Sequence, residues 1–185
     1  MDHFHEEVVK KHRRMVDEIA YYFSLLVMVL SGVFALMEIS QLPRLIMSGQ
    51  YTVGQLLPEI LMTLLLAAIA VLVFFYRDRL RTEYEYTFTN GALDFAQVFN
   101  NKKRKSLGSL NVKTIDAFGP VAGGSFQRYI SMQGVQQTRW FLNRDGNLHF
   151  FYFQKEGNKR IIILEPTEEM VQLIRQYLPR GAWQE

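Results

Sequence analysis

Thr82–Asn100, with the sequence TEYEYTFTNGALDFAQVFN, predicts a β-hairpin. Aromatic and polar residues alternate along it, which is the period-two pattern of strands that bury one face. Asn90-Gly91 stands at its centre, and both residue types tolerate the positive φ angles of a type I′ turn. With these two residues as the loop, the aromatic side chains share one face and cover a core. The predicted pairs are Phe88 with Leu93, Tyr86 with Phe95, and Tyr84 with Gln97.

Four more short runs of β-branched and aromatic residues follow the hairpin, separated by Gly, Asn or Asp. They predict a strand within residues 106–118, where Val112 and Ile115 suggest that it runs up to about Phe118, and strands at 138–142, 148–154 and 159–164. Asp145-Gly146 and Gly157-Asn158 are the predicted turns between the last three, so that Phe153 would lie opposite Ile162. Gly119–Ser125 predicts a break, and Phe126–Met132 predicts a short helix or a turn; the sequence decides nothing further about the structure of residues 120–137.

Residues 167–178, TEEMVQLIRQYL, predict an amphipathic helix that closes the domain. Thr167 is a typical N-cap, and the two glutamates after it suit the positive end of the helix dipole. Pro179 and Gly181 end the helix. Its apolar stripe consists of Met170, Leu173, Ile174, Tyr177 and Leu178.

Two long apolar runs precede the hairpin, at Ile19–Met37 and Gln55–Tyr76. At about 1.5 Å rise per residue, each covers about 30 Å, the thickness of the hydrocarbon core of a bilayer. Two such runs in a chain of 185 residues favour a transmembrane hairpin over buried soluble helices. The charged leader before the first run favours a retained span over a cleaved signal peptide. The predicted spans are about residues 19–38 and 55–76.

Basic residues flank these runs on one side only, and the loop between the runs holds Arg44 alone. Because basic residues concentrate on the cytoplasmic side, we expect a multi-pass protein of the plasma membrane with both termini in the cytoplasm. The basic surplus belongs to the C-terminal part of the chain, with 5 Lys and Arg against 7 Asp and Glu before Arg77, and 16 against 11 from there onward. The flanking residues are Lys10, Lys11, Arg13, Arg14, Arg77, Arg79 and Arg81.

The chain thus divides into an N-terminal cytoplasmic segment (1–18), a transmembrane helical hairpin (19–76) and a cytoplasmic domain (82–185). This order, with the segments YEYTFTNGALDFAQVFNNKKRKS, NVKTIDAFG and EPTEEMVQLIRQYLPR, resembles a family of uncharacterised small bacterial membrane proteins with a PH-like cytoplasmic domain. The resemblance implies an α+β membrane protein in which an antiparallel β, PH-like barrel or sandwich with one C-terminal helix follows the two spans. It brings no catalytic motif.

Four consecutive basic residues follow the hairpin: Lys102, Lys103, Arg104 and Lys105. The two strands of the hairpin are about equal in length, so the chain returns to the level at which it left the second span. We therefore expect these four residues, together with Arg77, Arg79 and Arg81, to contact anionic lipid headgroups. A solvated loop that only helps to fix the topology is the alternative.

Small residues recur four apart in both spans, which is the spacing that lets two helices approach closely. This pattern predicts helix–helix packing, and chance accounts for the spacing equally well. Glu38 and Glu59 lie near the outer ends of the spans, where we expect carboxylates exposed to water. The small residues are Ser31, Ala35, Thr63 and Ala67.

The sequence lacks the residues or the spacing that several classes of functional site require. The chain has no cysteine, which excludes disulfides, thiol nucleophiles and thiolate metal ligands. His3 and His5 lack the further donors that a metal site needs, and no triad pattern surrounds His149. Gly119–Gly124 lacks the signature of a phosphate-binding loop, and the basic run lacks the aromatic residues of a nucleic-acid site. We expect no enzyme, no metal, no cofactor and no nucleic-acid partner.

The leading prediction is a non-catalytic, membrane-anchored scaffold or binding module. Its PH-like domain would contact the inner leaflet of the bilayer or an unidentified protein partner. The alternative is a subunit of a larger membrane complex that assembles through the transmembrane helices. A membrane-bound enzyme is the least favoured of the three.

Overall fold

The computed structural model describes residues 3–185 and divides them into two compact units. The β unit combines the residues up to His12 with Thr82–Glu185, and the helical unit is Arg13–Arg81. The β unit is therefore built from two pieces of chain that lie on either side of the helical unit in sequence.

The helical unit consists of α1 (Met15–Met47), α2 (Val53–Tyr76) and a short 3₁₀ turn at Arg77–Arg81. By length and composition, two helices of this unit could cross a bilayer. Helix α1 continues nine residues past the predicted span, so the connection is much shorter than the predicted loop of residues 38–54. The reason is that an apolar run marks the stretch suited to lipid, whereas backbone hydrogen bonding decides where a helix ends.

The first sheet of the β unit has the strand order β1-β2-β3-β4. The predicted hairpin is confirmed pair by pair, since Phe88 lies opposite Leu93 and Tyr86 opposite Phe95. Its turn has positive φ at Asn90, as the type I′ prediction requires. The strands are β1 (Phe4–Val9), β2 (Thr82–Thr89), β3 (Ala92–Phe99) and β4 (Lys103–Asn111).

Strand β1 lies in the N-terminal segment (1–18), which the sequence pattern places outside the cytoplasmic domain (82–185). It pairs antiparallel with β2, with Phe4 opposite Thr89 and Val9 opposite Tyr84. Two of its three inward-facing side chains are polar, His5 and Glu7, so the segment shows no alternation of apolar and polar residues. The structure therefore adds residues 4–9 to the domain.

The second sheet has the order β5-β7-β8-β6, and here two expectations are wrong. Strand β6 does not form a hairpin with β7 but pairs parallel with β8, so the sheet is mixed rather than purely antiparallel. The two sheets form no closed barrel. The strands are β5 (Ala117–Pro120), β6 (Gln136–Trp140), β7 (His149–Lys155) and β8 (Asn158–Leu164).

Two smaller sequence predictions also change. The strand expected within residues 106–118 instead ends at Asn111 as β4, and a 3₁₀ turn, Val112–Thr114, separates it from β5. The β7–β8 turn is centred on Glu156-Gly157, one residue earlier than predicted, so Phe153 lies opposite Arg160. Shifting a turn by one residue moves each partner by two, which keeps every side chain on its predicted face.

Two helices complete the β unit: α3 (Gly124–Ile130) and α4 (Glu168–Tyr177). The predicted C-terminal helix is confirmed, and the Thr167 side chain caps it by accepting from the backbone N–H of Met170. Helix α3 overlaps Phe126–Met132, for which the sequence predicts a short helix or a turn, and it begins two residues earlier.

The second sheet is covered on both faces. Phe151 and Ile162 belong to the main core, together with side chains of the first sheet and of α4. Phe150 and Ile161 face the other way, into a smaller core that includes residues of α3. Burial on both faces explains why β7 and β8 read as continuous apolar runs instead of alternating ones.

Candidate functional site: the junction end of the β unit

The first sheet receives and releases the rest of the chain at one end. Val9, the last residue of β1, pairs with Tyr84 near the start of β2, and Thr82 pairs with Phe99 at the end of β3. The residues leading to and from the helical unit therefore leave the sheet at the same end, and the β3–β4 turn lies there too. We call this the junction end.

The basic run lies at the junction end, but most of it is not a loop. Asn100 and Asn101, with φ of 50° and 53°, form the β3–β4 turn, and β4 begins at Lys103. All four basic side chains are exposed. Strand register thus places the run at the same end of the sheet as the first residues of β2, while three of its four residues belong to a strand.

Arg104 differs from its three lysine neighbours because it is paired. Its Nη2 lies 2.9 Å from a carboxylate oxygen of Glu85, which belongs to β2 of the same sheet. A shallow cleft of about 260 Å³ lies between these two side chains and the turn. The carboxylate in this cleft opposes the binding of an anion there. Among the described residues, Lys102, Lys103 and Lys105 form no ion pair, and they carry the net positive charge of the run.

The arginines that follow α2 are engaged within the helical unit. Arg81 forms an ion pair with Glu18, and Arg77 donates to the sulfur of Met28 at 3.2 Å. The sequence predicts that these guanidinium groups contact lipid headgroups, whereas in the structure they make contacts within the helical unit. Each arginine also lies over an aromatic ring. The distances from Cζ to the ring centroid are 3.7 Å for Arg81 over Tyr21, 4.7 Å for Arg79 over Tyr76 and 5.2 Å for Arg77 over Phe74.

The small residues of the spans are largely buried in the helical unit. Ser31, Ala35 and Thr63 are buried, and Ala67 is half-buried. The Ser31 hydroxyl donates to the carbonyl of Val27, one turn earlier in its own helix, at 2.7 Å. Such bonds satisfy the hydroxyls inside each helix, so these positions contribute close packing.

A buried glutamate fastens β1 to the start of α4. One carboxylate oxygen of Glu7 accepts from the backbone N–H of Thr167 at 3.1 Å and from its hydroxyl at 2.6 Å. Burial raises the pKa of Glu7, and these hydrogen bonds oppose the rise because they favour the ionised form. His5 lies 3.7 Å from the same carboxylate.

The side chain of Asn143 binds the backbone of the residues that follow β1. Its Oδ1 accepts from the backbone N–H of His12 at 2.8 Å, and its Nδ2 donates to the carbonyl of Lys10 at 2.9 Å. Glu165 in turn accepts from the backbone N–H and the side-chain amide of Asn143, at 3.1 and 2.7 Å. A cleft of about 410 Å³ adjoins these residues. Their polar atoms are used in joining chain segments.

The other perturbed groups outside the helices are stabilised in their neutral forms. Burial raises the pKa of the Tyr86 hydroxyl, which donates to the carbonyl of Trp140. Burial lowers the pKa of His149, whose ring stacks on Phe118. Within residues 3–185 there is no group of three or more His, Asp or Glu side chains that could hold a metal ion.

The sequence did not identify Glu7, Asn143 or Glu165. The partners of Asn143 in the N-terminal segment lie 131 and 133 residues away from it in sequence. No local pattern marks a side chain whose partners are brought to it only by the fold. An Asn in a turn and a Glu after a strand are ordinary residues at such positions.

Residues 1–184 match the family described as a bacterial PH-like domain (DUF6106). The match includes β1, both long helices, both sheets and α4. No curated protein and no solved structure matches the chain significantly. Two sheets followed by a C-terminal helix agree with a PH-like domain, and the chain belongs to this bacterial PH-like family.

Proposed function

We propose that this protein is a non-catalytic, membrane-anchored binding module whose junction end contacts the anionic inner leaflet of the bilayer. The observation that carries the proposal is the pairing of β1 with β2, between which the whole helical unit is inserted. A sheet cannot form across a bilayer, so helices that span it must return the chain to the side from which it left. The β unit is then tethered at its junction end.

The charge of the junction end supports the contact with lipid. Lys102, Lys103 and Lys105 are exposed there, and each basic residue near an anionic surface gains roughly 1 kcal/mol, less when salt screens it. Because Arg104 is paired with Glu85, the three lysines account for the contact.

The burial of small residues favours this proposal over a subunit that assembles with other chains through its small faces. Ser31, Ala35 and Thr63 are already used inside the helical unit. The chemistry supports a non-catalytic role, since the carboxylates of Glu7 and Glu165 are hydrogen-bonded to backbone groups.

Single cysteines test the topology, because the chain has none of its own. Ser48→Cys, just after α1, should react with an impermeant thiol reagent in intact cells. Phe4→Cys, at a position that is 64% exposed, and Ser106→Cys should react only after the membrane is opened. Labelling of Phe4→Cys and Ser106→Cys from opposite sides would contradict the proposal.

The lipid contact is tested with the full chain in nanodiscs. An environment-sensitive dye on Ser106→Cys should shift to the blue when anionic phosphatidylglycerol replaces neutral lipid, and high salt should reverse the shift. Changing Lys102, Lys103 and Lys105 together to Ser should abolish it. No shift in low salt would contradict the lipid contact.

A matched control removes charge elsewhere. Lys155→Ser with Lys159→Ser, beside the β7–β8 turn, should leave the dye response unchanged. Lysines on an edge strand such as β4 also hinder pairing with other chains. If the triple lysine variant self-associates and keeps the dye response, protection of the edge is the role of these residues.

A further inference from the structure

Strand β5 is an edge of the second sheet, and the chain's own last residues lie along it. The backbone N–H of Phe118 donates to the carbonyl of Ala182 at 2.8 Å, and that of Gln184 donates to the carbonyl of Phe118 at 2.9 Å. These bonds form a parallel bridge between Phe118 and Trp183. Residues 181–185, which we call the C-terminal segment, thus extend the sheet as an added strand.

Two glycines make room for the backbone of this segment. A Cβ on Gly119 would lie 2.3 Å from the carbonyl oxygen of Gln184, and one on Gly123 would lie 2.7 Å from the carbonyl carbon of Glu185. Neither glycine has a positive φ, so their backbone conformation would accept alanine. Space, not conformation, requires glycine here, and the edge of β5 is shaped to receive an extended chain.

The side chains around the segment define what it recognises. The Trp183 ring lies 4.2 Å from Cζ of Arg175 and packs against the ring of Phe118. Arg128 donates to the side-chain oxygen of Gln184 at 2.9 Å. An aromatic residue followed by an amide or a carboxylate therefore fits this edge, with one arginine for each.

The resident segment fits imperfectly. Nε1 of Trp183 is buried and finds no acceptor within the described part of the chain. A buried donor without a partner is costly, and phenylalanine at this position would avoid that cost. Two backbone hydrogen bonds join the segment to β5, and Ser125 and Arg128 add one side-chain hydrogen bond each. A partner segment that keeps these bonds and has phenylalanine in place of Trp183 would therefore bind more tightly than the resident segment.

We propose that the β5 edge, with Gly119, Gly123, Arg128 and Arg175, is a docking site for an extended peptide segment of a protein partner. The partner segment carries an aromatic residue followed by an acidic or amide residue. The C-terminal segment occupies the site in its absence and is displaced by it. This site is distinct from the lysines of the junction end.

The first test uses the intact chain in detergent and a peptide of residues 179–185 in which phenylalanine replaces Trp183. The peptide contains no tryptophan, so the fluorescence reports the protein alone. Displacement of the C-terminal segment should expose Trp183 and increase quenching by acrylamide in a saturable manner. Unchanged quenching at about 1 mM peptide would overturn the proposal.

The second test uses the chain ended at Arg180 and the same peptide carrying a dye. With the resident segment gone, affinity should rise by about tenfold or more over the intact chain. Gly119→Ala in the shortened chain should abolish binding, whereas Gly124→Ala, where a Cβ meets no atom within 4 Å, should not. A shortened chain that folds but does not bind overturns the proposal. If it does not fold, the quenching experiment decides.

Discussion

Two hairpin glycines of the β unit allow backbone strain to be separated from side-chain packing. Gly91 has φ of +96° and Gly157 has φ of +77°, a region that residues with a side chain rarely adopt. A Cβ on Gly157 would meet no atom within 4 Å, whereas one on Gly91 would lie 2.8 Å from Cδ1 of Tyr177. Alanine strains the backbone at both positions, but only at Gly91 must a neighbouring ring move.

The Tyr177 ring is held in place on two sides. It packs edge-on against Phe88, with the ring centroids 5.3 Å apart, and its hydroxyl lies 3.1 Å from Nδ1 of His3. Backbone strain alone costs about 1–2 kcal/mol, which is the expected loss for Gly157→Ala. For Gly91→Ala, the weakened ring contact and hydrogen bond each add about 0.5–1.5 kcal/mol, for a total loss of about 2–5 kcal/mol.

Thermal unfolding of the full chain in detergent, followed by the near-ultraviolet circular dichroism of its aromatic core, measures both losses. In a domain of about 100 residues, each kcal/mol lowers Tm by about 4–8 °C, so the two variants should differ clearly. Equal losses would refute the claim that Tyr177 is held against the turn. A Gly91→Ala variant as stable as the native chain would refute the turn conformation itself.

Three further predictions concern polar residues of the β unit, and all are measured by unfolding of the full chain. Because burial raises the pKa of Glu7, the folded state holds this proton more tightly, and the contribution to stability falls as pH rises from the ordinary pKa of a glutamate to the raised one. Glu7→Gln, which keeps an acceptor for Thr167, should reduce that fall, and an unchanged pH profile would contradict it. The lowered pKa of His149 acts in the opposite direction, with stability lost as pH falls from the ordinary histidine pKa to the lowered one, so His149→Phe should be less sensitive to acid. Asn143→Ala should cost about 2–3 kcal/mol because it removes the hydrogen bonds that buried Asn143 makes to the backbone of Lys10 and His12 and to Glu165, whereas Asn147→Ala, at an exposed position, should cost less than about 1 kcal/mol; equal costs would refute the role of Asn143.

Local determinants made part of the fold predictable. The Asn90-Gly91 turn sets the register of β2 and β3 through the backbone angles of two residues, and the alternation of the flanking residues confirms it. Helix α4 has its cap, its first-turn charges and its apolar stripe within a dozen residues. In both cases the residues that decide the structure are neighbours in sequence.

The candidate site was predictable only in its position. Hairpin geometry places Lys102–Lys105 at the junction end, as strand register shows. The pairing of Arg104 with Glu85 was not foreseen, since those residues lie on different strands whose contact depends on the course of β4. The engagement of Arg81 by Glu18 likewise requires α1 and α2 to pack first.

By itself, the sequence determined the elements whose signals are periodic or contiguous: two apolar helices, the central hairpin and the amphipathic C-terminal helix. The tertiary structure decided which distant segments complete the sheets: β1 beside β2, β6 parallel to β8, and the C-terminal segment on β5. These additions are made by backbone hydrogen bonds, whose donors and acceptors are present in every residue apart from the missing N–H of proline, and which leave no mark in the side-chain pattern. Their few side-chain signatures, such as glycine at positions 119 and 123, acquire meaning only when the approaching chain is known.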